Sequence, residues 1–350
     1  MVNVVVTGGA GFLGSRLARV LLAAGSLAVA GGAARPLSRV TLIDRVPVPP
    51  DLAADRRVGV IHGELAGLLD PGAAGPGAGA GSPGAGAGGP GVRDALAGAE
   101  VIFHLAAAVS GECEADFDLG MRANLRSTEA LLAACRALGT RPVVVFASSL
   151  AVFGASAEHP LPAVVDDHTL PNPQTSYGTQ KLIGERLLAD YTRKGFLDGR
   201  AVRLMTVVVR PGRPNAAASG FLSSIIREPL NGQRATCPVS PDTEVALASP
   251  GKAIDALLCA AVSSSQTWGG RSAVTMPALT VTVADMAAAL RRVAGPQADA
   301  LIDWVPDPAV AAMVRTWPGR IRSDRAARMG LIPDQDFESV IRMHLAESSS

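Results

Sequence analysis

Near its start the chain reads Val2-Asn3-Val4-Val5-Val6-Thr7-Gly8-Gly9-Ala10-Gly11-Phe12-Leu13-Gly14, a β-branched run that leads directly into closely spaced glycines. The run predicts a buried strand, and the apolar stretch from Phe12 to Ala24 predicts a helix after the turn. In such a turn the first glycine permits the tight bend, the second lets a diphosphate approach the backbone, and the third lets the helix pack on the strand. Free N–H groups at the helix start favour phosphates. We therefore predict a bound dinucleotide at Gly8, Gly11, Phe12, Leu13 and Gly14.

Apolar strands and helical segments alternate along the first 209 residues. The predicted strands are Val2–Thr7, Arg39–Asp44, Val58–His62, Val101–Leu105, Pro142–Ser148 and Ala201–Val208. Continuous apolar strands separated by helices indicate a parallel sheet covered on both faces. The predicted fold is α/β, a Rossmann-type doubly wound parallel sheet over residues 1–209. Shorter helices and strands over residues 210–350 predict a smaller, mainly C-terminal α/β lobe that binds the substrate.

One segment interrupts this alternation. Pro71 to Gly91 consists almost entirely of Gly, Ala, Pro and Ser. Such a stretch cannot bury enough apolar surface to offset the entropy of ordering it. We interpret it as a disordered surface insertion between the third strand and the next helix.

The composition excludes several classes of function. The chain has 350 residues, is 48% apolar and carries a net charge of +1. No charge excess indicates a nucleic acid or an anionic membrane as partner. The apolar segment Val20–Ala34 is too short to span a membrane. The four cysteines are far apart, which argues against a disulfide framework or a zinc site. We therefore predict no bound metal and a reducing cytoplasm as the location.

Residues after the second, third and fourth strands extend the predicted cofactor site. Asp44 can bind the adenosine ribose hydroxyls, or it is simply a solvated acid at a strand end. A carboxylate there repels a 2′-phosphate, so NAD is favoured over NADP, although Arg45 weakens that preference. Glu64, followed by Leu65, can accept a hydrogen bond from the adenine amino group. The small residues Ala106, Ala107 and Ala108 either let the chain pass close to the cofactor or begin an Ala-rich helix.

Tyr177 and Lys181 are the strongest candidates for chemistry. They are four residues apart and so share one face of a helix, in a chain that has two tyrosines and three lysines. An ammonium beside a phenol lowers the pKa of the phenol, which makes a base that can deprotonate an alcohol. Ser148 and Ser149 end the fifth strand, where ligands bind in open α/β sheets. The alternative for the pair is an ordinary surface helix, and for the serines a serine-rich turn.

Together these motifs resemble the extended short-chain dehydrogenase/reductases, the NAD-dependent epimerase/dehydratase family. The resemblance is carried by Thr7–Gly14, His104–Ala107, Asn124 within Met121–Thr128, Ser148–Gly154, Tyr177–Lys181 and Arg210–Gly212. It implies that Ser149, Tyr177 and Lys181 are catalytic. It also implies NAD as cofactor, with NADP less favoured, and contacts of Asn124, Tyr177, Lys181 and Pro211 with it.

Within this family the chain is most similar to dehydrogenases of four-carbon sugar acids. The similarity extends through Arg210–Phe221, Ile226–Leu230, Cys237–Val239 and Thr316–Gly319. It implies NAD-dependent oxidation of the C2 hydroxyl of D-erythronate to 2-dehydro-D-erythronate (2-oxotetronate). Met205 and Arg320 depart from the pattern, and either could alter the substrate pocket.

A small hydroxy acid also needs its carboxylate held. The predicted substrate residues are Ser110, Ser149, Tyr177, Asn215 and Ser219, with Arg210 as a further candidate or a structural residue beside Pro211. One alternative activity is a UDP-sugar 4-epimerase or dehydratase that uses the same three catalytic residues. Another is a non-catalytic NAD-sensing or scaffold protein. The resemblance further implies a homodimer formed through helices Met121–Leu138 and Tyr177–Lys194.

Overall fold

The structure, a computed structural model, describes residues 1–69, 91–212 and 219–348. The predicted disordered insertion, apart from Gly91, and the predicted substrate residue Asn215 lie outside these ranges. The strands are β1 (Val2–Thr7), β2 (Ser26–Ala28), β3 (Ala34–Asp44), β4 (Val58–His62), β5 (Val101–His104), β6 (Val143–Ser149), β7 (Asp198–Leu204), β8 (Thr206–Val207), β9 (Ala235–Cys237), β10 (Glu244–Ala248), β11 (Val274–Thr275), β12 (Leu279–Thr282) and β13 (Ile302–Trp304).

Helices fill most of the connections between these strands. They are α1 (Phe12–Ala24), α2 (Pro50–Ala53), α3 (Leu65–Leu69), α4 (Val92–Ala97), α5 (Ser110–Ala115), α6 (Phe117–Gly120), α7 (Ser127–Leu138), α8 (Ser176–Arg193), α9 (Gly220–Leu230), α10 (Pro250–Val262), α11 (Ser265–Trp268), α12 (Val283–Ala294), α13 (Pro296–Asp299), α14 (Pro308–Val314), α15 (Asp324–Arg328) and α16 (Phe337–Ser348). In the described ranges no helix is both long and apolar enough to cross a membrane.

An eight-stranded sheet forms the centre of the fold, in the order β11-β7-β6-β5-β1-β3-β2, with β4 also paired to β3. All of these pairings are parallel except that of β2, which runs antiparallel to the first residues of β3. The later residues of β3 pair with β4, so the long strand β3 serves two partners along its length. The predicted parallel α/β fold is confirmed.

The predicted sixth strand is wrong at its end. We expected one strand from Ala201 to Val208, but β7 ends at Leu204 and β8 pairs with β10 in a separate three-stranded sheet. Met205 lies at this crossing and is buried. The apolar run is continuous because it passes from one buried core directly into another, so composition does not reveal the break.

The second core lies under the three-stranded sheet. It packs strand and helix residues that include Val208, Leu222, Ile225, Leu247, Met286, Leu290 and Phe337. A further two-stranded sheet joins β9 to β13 beside it. Most residues of this second core come after residue 210, although Val208 and Val209 also belong to it.

The chain also returns to the main sheet after residue 210. Helix α10 packs its buried face, including Ile254 and Leu257, in the same core as Val4 and Leu17. Strand β11 then adds to the edge of the main sheet beside β7. The division at residues 209 and 210 stays a prediction, but the core of the first lobe includes residues from both sides of it.

Leu257→Ala tests whether α10 belongs to the main core. Leu257 is fully buried against that core, so we expect a loss of about 2–5 kcal/mol in the free energy of unfolding. Asp255→Ala, on the exposed face of the same helix, should change it by no more than about 0.5 kcal/mol. Denaturant unfolding of the two variants makes the comparison. Equal, small losses in both variants would contradict this placement.

Candidate active site

The glycine turn between β1 and α1 is built by close backbone contact. Gly8 has a φ of +73°, and a Cβ at this position would lie 2.7 Å from the backbone nitrogen of Ala106. A Cβ at Gly14 would lie 2.0 Å from the carbonyl oxygen of Gly8. Only glycine lets α1 start this close to β1 and β5. Helix α1 begins at Phe12 without a side-chain cap on its N-terminus, so its first N–H groups remain for a ligand.

Asp44 holds this turn from the neighbouring strand. One carboxylate oxygen accepts a hydrogen bond from the backbone N–H of Ala10 (2.9 Å) and the other from that of Val46 (3.1 Å). The carboxylate therefore lies beside the glycine turn, where the sequence predicts it, and is partly accessible. Arg45 is exposed.

A cavity of about 410 Å³ extends from the glycine turn across the carboxyl ends of the strands to the second lobe. Most of the predicted site residues line it. These are Gly8, Gly11, Phe12, Leu13, Gly14, Ala107, Ala108, Ser110, Ser149, Tyr177, Lys181, Arg210 and Ser219. Other predicted residues are outside its lining, namely Asp44, Arg45, Glu64, Leu65, Ala106, Asn124 and Pro211.

Helix α8 carries Tyr177 and Lys181 to the end of β6. Thr175 caps the helix by accepting a hydrogen bond from the N–H of Gly178 (3.0 Å). A Cβ at Gly178 would lie 2.1 Å from the carbonyl oxygen of Ala151, so this glycine lets α8 pack directly on the turn that follows Ser149. The structure thus brings the three predicted catalytic residues, Ser149, Tyr177 and Lys181, into the lining of one cavity.

Lys181 is fixed by its surroundings. Its Nζ donates a hydrogen bond to the carbonyl oxygen of Ala147 (2.9 Å) and lies 4.9 Å from the centre of the Phe146 ring. The same Nζ lies 5.6 Å from the centre of the Tyr177 ring. Burial lowers the pKa of Lys181 to about 8, although the neighbouring Cys113 and Glu185 oppose that shift.

The predicted lowering of the Tyr177 pKa is wrong for the chain without its ligands. Tyr177 is partly accessible from the cavity, yet removal of water by the surrounding protein raises its pKa to about 12. A hydrogen bond with the Ser149 side chain and the charge of Arg210 act in the opposite direction and are weaker. Desolvation of the phenolate outweighs the nearby positive charges, and sequence spacing does not report desolvation.

Asn124 supports the site from beneath the cavity. Its side chain accepts a hydrogen bond from the N–H of Ala108 (2.7 Å) and donates to the carbonyl oxygen of the same residue (3.3 Å). It also donates to the side chain of Gln180 (2.7 Å), which is on α8. Asn124 thereby joins the chain after β5 to the helix that carries Tyr177. The signal in the sequence was the family resemblance, which does not reveal this supporting contact.

Comparison with known proteins identifies the family. Residues 89–255 match the protein family described as "NAD dependent epimerase/dehydratase family". Over 99% of its length the chain is 46% identical to D-erythronate dehydrogenase of Cupriavidus necator, covering 98% of that protein. The chain belongs to the NAD-dependent epimerase/dehydratase family.

A second curated relative and a solved structure support the same family. The chain is 37% identical to D-erythronate dehydrogenase of Haemophilus influenzae, over 98% of each protein. A solved structure described as a nucleoside-diphosphate-sugar epimerase from Agrobacterium tumefaciens is 39% identical, with a TM-score of 0.85 over 99% of this chain and 94% of that one. The predicted resemblance is confirmed.

NAD, the cofactor of the epimerase/dehydratase family, fits the residues present. The glycines at positions 8, 11 and 14 leave room where side chains would stand, at the uncapped start of α1. That combination suits the diphosphate of a dinucleotide. The carboxylate of Asp44, beside the same turn, suits ribose hydroxyls and disfavours the 2′-phosphate of NADP.

Arg210 is one of the predicted substrate residues that the structure places at the cavity. Arg210 lines it, and its guanidinium donates hydrogen bonds to the carbonyl oxygen of Val207 (3.0 Å) and to Ser219 (3.0 Å). Burial lowers the pKa of Arg210, which the phenol of Tyr177 opposes.

Sequence reasoning missed several lining residues from distant parts of the chain. Met313 and Trp317 reach the cavity from the C-terminal lobe, and Glu114 reaches it from α5. The Trp-Pro-Gly motif marked Trp317 without indicating a role, and nothing in the sequence marked Glu114. Met205 does line the cavity, whereas Arg320 is an exposed residue whose Nε is 3.0 Å from Glu244. Of the two departures from the family pattern, only Met205 therefore lies where it can shape the pocket.

Titration of the ligand-free protein tests the electrostatics of this site. Tyr191→Phe leaves Tyr177 as the remaining tyrosine. A phenylalanine can keep the edge contact of Tyr191 with Phe196 (5.6 Å between ring centres) and its packing against the core. We expect near-ultraviolet absorbance to show no phenolate below about pH 10, the ordinary tyrosine value, because burial raises the Tyr177 pKa. Phenolate absorbance that appears near neutral pH would contradict this.

Proposed function

We propose that the protein catalyses the NAD-dependent oxidation of the C2 hydroxyl of D-erythronate to 2-dehydro-D-erythronate (2-oxotetronate). The observation that carries the proposal is the near full-length identity to the D-erythronate dehydrogenases described above. The cavity supports it, because a serine, a tyrosine and a lysine meet there next to a glycine turn suited to a dinucleotide.

In the proposed reaction Ser149 and Tyr177 bind the C2 hydroxyl. Ser149 orients the oxygen, and Tyr177 accepts the hydroxyl proton as the carbonyl forms. Bound NAD supplies an acceptor for the hydride that leaves C2. The balance is one proton to the protein, one hydride to the cofactor and a C=O bond in place of the C–OH group.

Lys181 supplies the state in which Tyr177 can accept a proton. Because burial lowers the Lys181 pKa to about 8 and raises that of Tyr177 to about 12, the first proton to leave the two side chains comes from the lysine. Once that proton is gone, the two side chains share one remaining proton. When this proton passes from Tyr177 to Lys181, Tyr177 is a phenolate and can accept the hydroxyl proton of the substrate. We therefore expect activity to rise with pH as this pair loses one proton.

Arg210 is our candidate for the substrate carboxylate. It lines the cavity together with Ser110 and Ser219, and its charge acts on Tyr177. A guanidinium in such a site can bind a carboxylate with strong, charge-assisted hydrogen bonds. We propose Ser110, Asn215 and Ser219 as further substrate residues, and the glycine turn, Asp44, Arg45, Glu64, Leu65, Ala106, Ala107, Ala108, Asn124 and Pro211 as the cofactor side of the site.

A sugar-nucleotide epimerase is the second candidate function. It is favoured by the 39%-identical structure, whose description names that activity. The two functions differ in their products, since an epimerase returns the hydride to its substrate and forms no net NADH. The 46% identity to the Cupriavidus necator dehydrogenase is higher than the 39% identity to that structure, which favours the first proposal.

We also propose a homodimer in the cytoplasm, with residues 210–350 contributing most of the substrate lobe. Phe117 on α6 and Ile183 on α8 are large apolar side chains that remain 61% and 37% exposed on neighbouring helices. An interface over these helices would cover them. The four cysteines are all free, in accord with a reducing compartment.

The reaction is tested by following NADH formation with D-erythronate as substrate. We expect net reduction of added NAD, and no interconversion of UDP-glucose and UDP-galactose. Tyr177→Phe should lower kcat by about 10²–10⁴-fold, because it removes the proton acceptor, while NAD still binds. Binding of NAD to both proteins, measured by calorimetry, is the control. UDP-sugar turnover without net NADH would support the epimerase instead.

The Arg210 assignment predicts a change in substrate binding. Arg210→Met should raise KM for D-erythronate by about 10–100-fold, since a charge-assisted hydrogen bond to the carboxylate is lost. Arg320→Met is the matched control, because Arg320 is exposed and outside the cavity lining, and its KM should stay unchanged. Thermal unfolding of both variants shows whether the fold is kept. A normal KM in folded Arg210→Met would remove Arg210 from the substrate site.

A further inference from the structure

A buried carboxylate lies one helical turn beyond Lys181. Glu185 follows Lys181 by four residues on α8, so the two side chains share one face of the helix. The side chain of Glu185 is only 4% exposed. Burial of an ionised carboxylate is costly unless its oxygens are paired, so a carboxylate in this position needs partners.

Glu185 has partners on both neighbouring strands. Arg203 on β7 binds it through two hydrogen bonds, from Nε to Oε1 (2.9 Å) and from Nη2 to Oε2 (2.8 Å). The hydroxyl of Ser148 on β6 donates a hydrogen bond to Oε1 (2.5 Å). The guanidinium of Arg203 also lies 4.8 Å from the centre of the Phe153 ring. The carboxylate thus ties α8 to the ends of β6 and β7.

These contacts reach two proposed catalytic residues. Ser148 directly precedes Ser149, so the hydrogen bond to Glu185 fixes the last residues of β6. The carbonyl oxygen of Ala147, on the same strand, accepts the hydrogen bond from Lys181 Nζ. Glu185 therefore braces both the strand end that carries Ser149 and the helix face that carries Lys181.

Two neighbours, Cys113 and Glu185, oppose the lowering of the Lys181 pKa by burial, and of these only Glu185 is a carboxylate. From β5, His104 faces Lys181, but burial lowers the His104 pKa to about 3 and leaves the imidazole neutral near pH 7. From α5, Cys113 faces it as a thiol, because burial raises the Cys113 pKa. On the far side of Glu185 are the cation of Arg203 and, beyond it, that of Arg325. On α8 itself, the ring of Tyr177 also lies near Lys181, and the charge of Arg210 acts on that tyrosine.

We propose that Glu185 is a positioning residue that keeps Lys181 in its cationic form and holds the end of β6 in place for Ser149. A negative charge nearby favours the protonated amine and so opposes the effect of burial. Removal of that charge must therefore shift proton loss from Lys181 to lower pH. Loss of a purely structural ion pair would reduce stability without such a shift.

The variant Glu185→Gln tests this directly by NMR titration of labelled lysine in the ligand-free protein. The chain has three lysines, and Lys181→Met identifies the signal of Lys181. We expect the Lys181 titration to move down by about one pH unit in Glu185→Gln, while Glu185→Asp, which keeps the charge, stays close to the parent protein. An unchanged Lys181 titration in folded Glu185→Gln would overturn the proposal.

Two further variants separate charge from folding. Asp198→Asn breaks the ion pair of Asp198 with the fully buried Arg200 at the other end of β7, and it should lower stability without moving the Lys181 titration. Glu185→Gln with Arg203→Met leaves no unpaired buried cation, so it should fold even if the single variant does not. It should show a smaller shift in the same direction, and no shift there would also overturn the proposal.

The pH dependence of kcat/KM gives a second measurement, which rests on the proposed function. Because activity there rises as the Tyr177–Lys181 pair loses a proton, Glu185→Gln should move the acid side of the profile to lower pH along with the NMR titration. If the NMR titration of Lys181 moves but the acid side of the kcat/KM profile does not, the protonation of Lys181 does not control the rate. That result would contradict the proposed kinetic role. Absence of D-erythronate oxidation in the parent protein would count against the proposed function, and the NMR result would still stand.

Discussion

Backbone-to-backbone contact at the carboxyl edge of the main sheet is the constraint on which the site depends. At Gly14 and Gly178 an added Cβ would lie 2.0 and 2.1 Å from a backbone carbonyl oxygen, which is too close for any side chain. The first contact sets the start of α1 against the glycine turn, and the second sets α8 against the turn after β6. Because both helices meet the same edge, the cofactor turn and Tyr177 open into one cavity.

The second determinant is desolvation. The same close packing that assembles the site removes water from Tyr177 and Lys181, and burial is the largest influence on both pKa values. Burial raises the pKa of Tyr177 and lowers that of Lys181. Lys181 therefore loses its proton before Tyr177 does, whereas neighbouring charges alone would favour the opposite order. The buried ion pair of Glu185 with Arg203 acts against this on the lysine side.

Much of the fold was predictable because it depends on local patterns. Continuous apolar strands, the glycine spacing and the Tyr177–Lys181 spacing are short-range features. The glycine turn, the helix that carries Tyr177 and Lys181, and all the predicted strands but the sixth appear in the structure at or near the predicted places. The break at Met205 was not predictable, since both sides of it are buried. Nor was the return of α10 and β11 to the main sheet, because a helix or strand does not record which of two cores it joins.

The sequence by itself determined the α/β fold, the glycine turn and which serine, tyrosine and lysine are the candidates for catalysis, since these follow from residue type and from spacing along the chain. Only the tertiary structure decided that Met313, Trp317 and Glu114 share a cavity with them, that Asn124 supports the site from behind, and that Glu185 lies between Arg203 and Ser148. These relations join residues far apart in sequence. They also depend on how much water the folded chain excludes, a property that no segment has on its own.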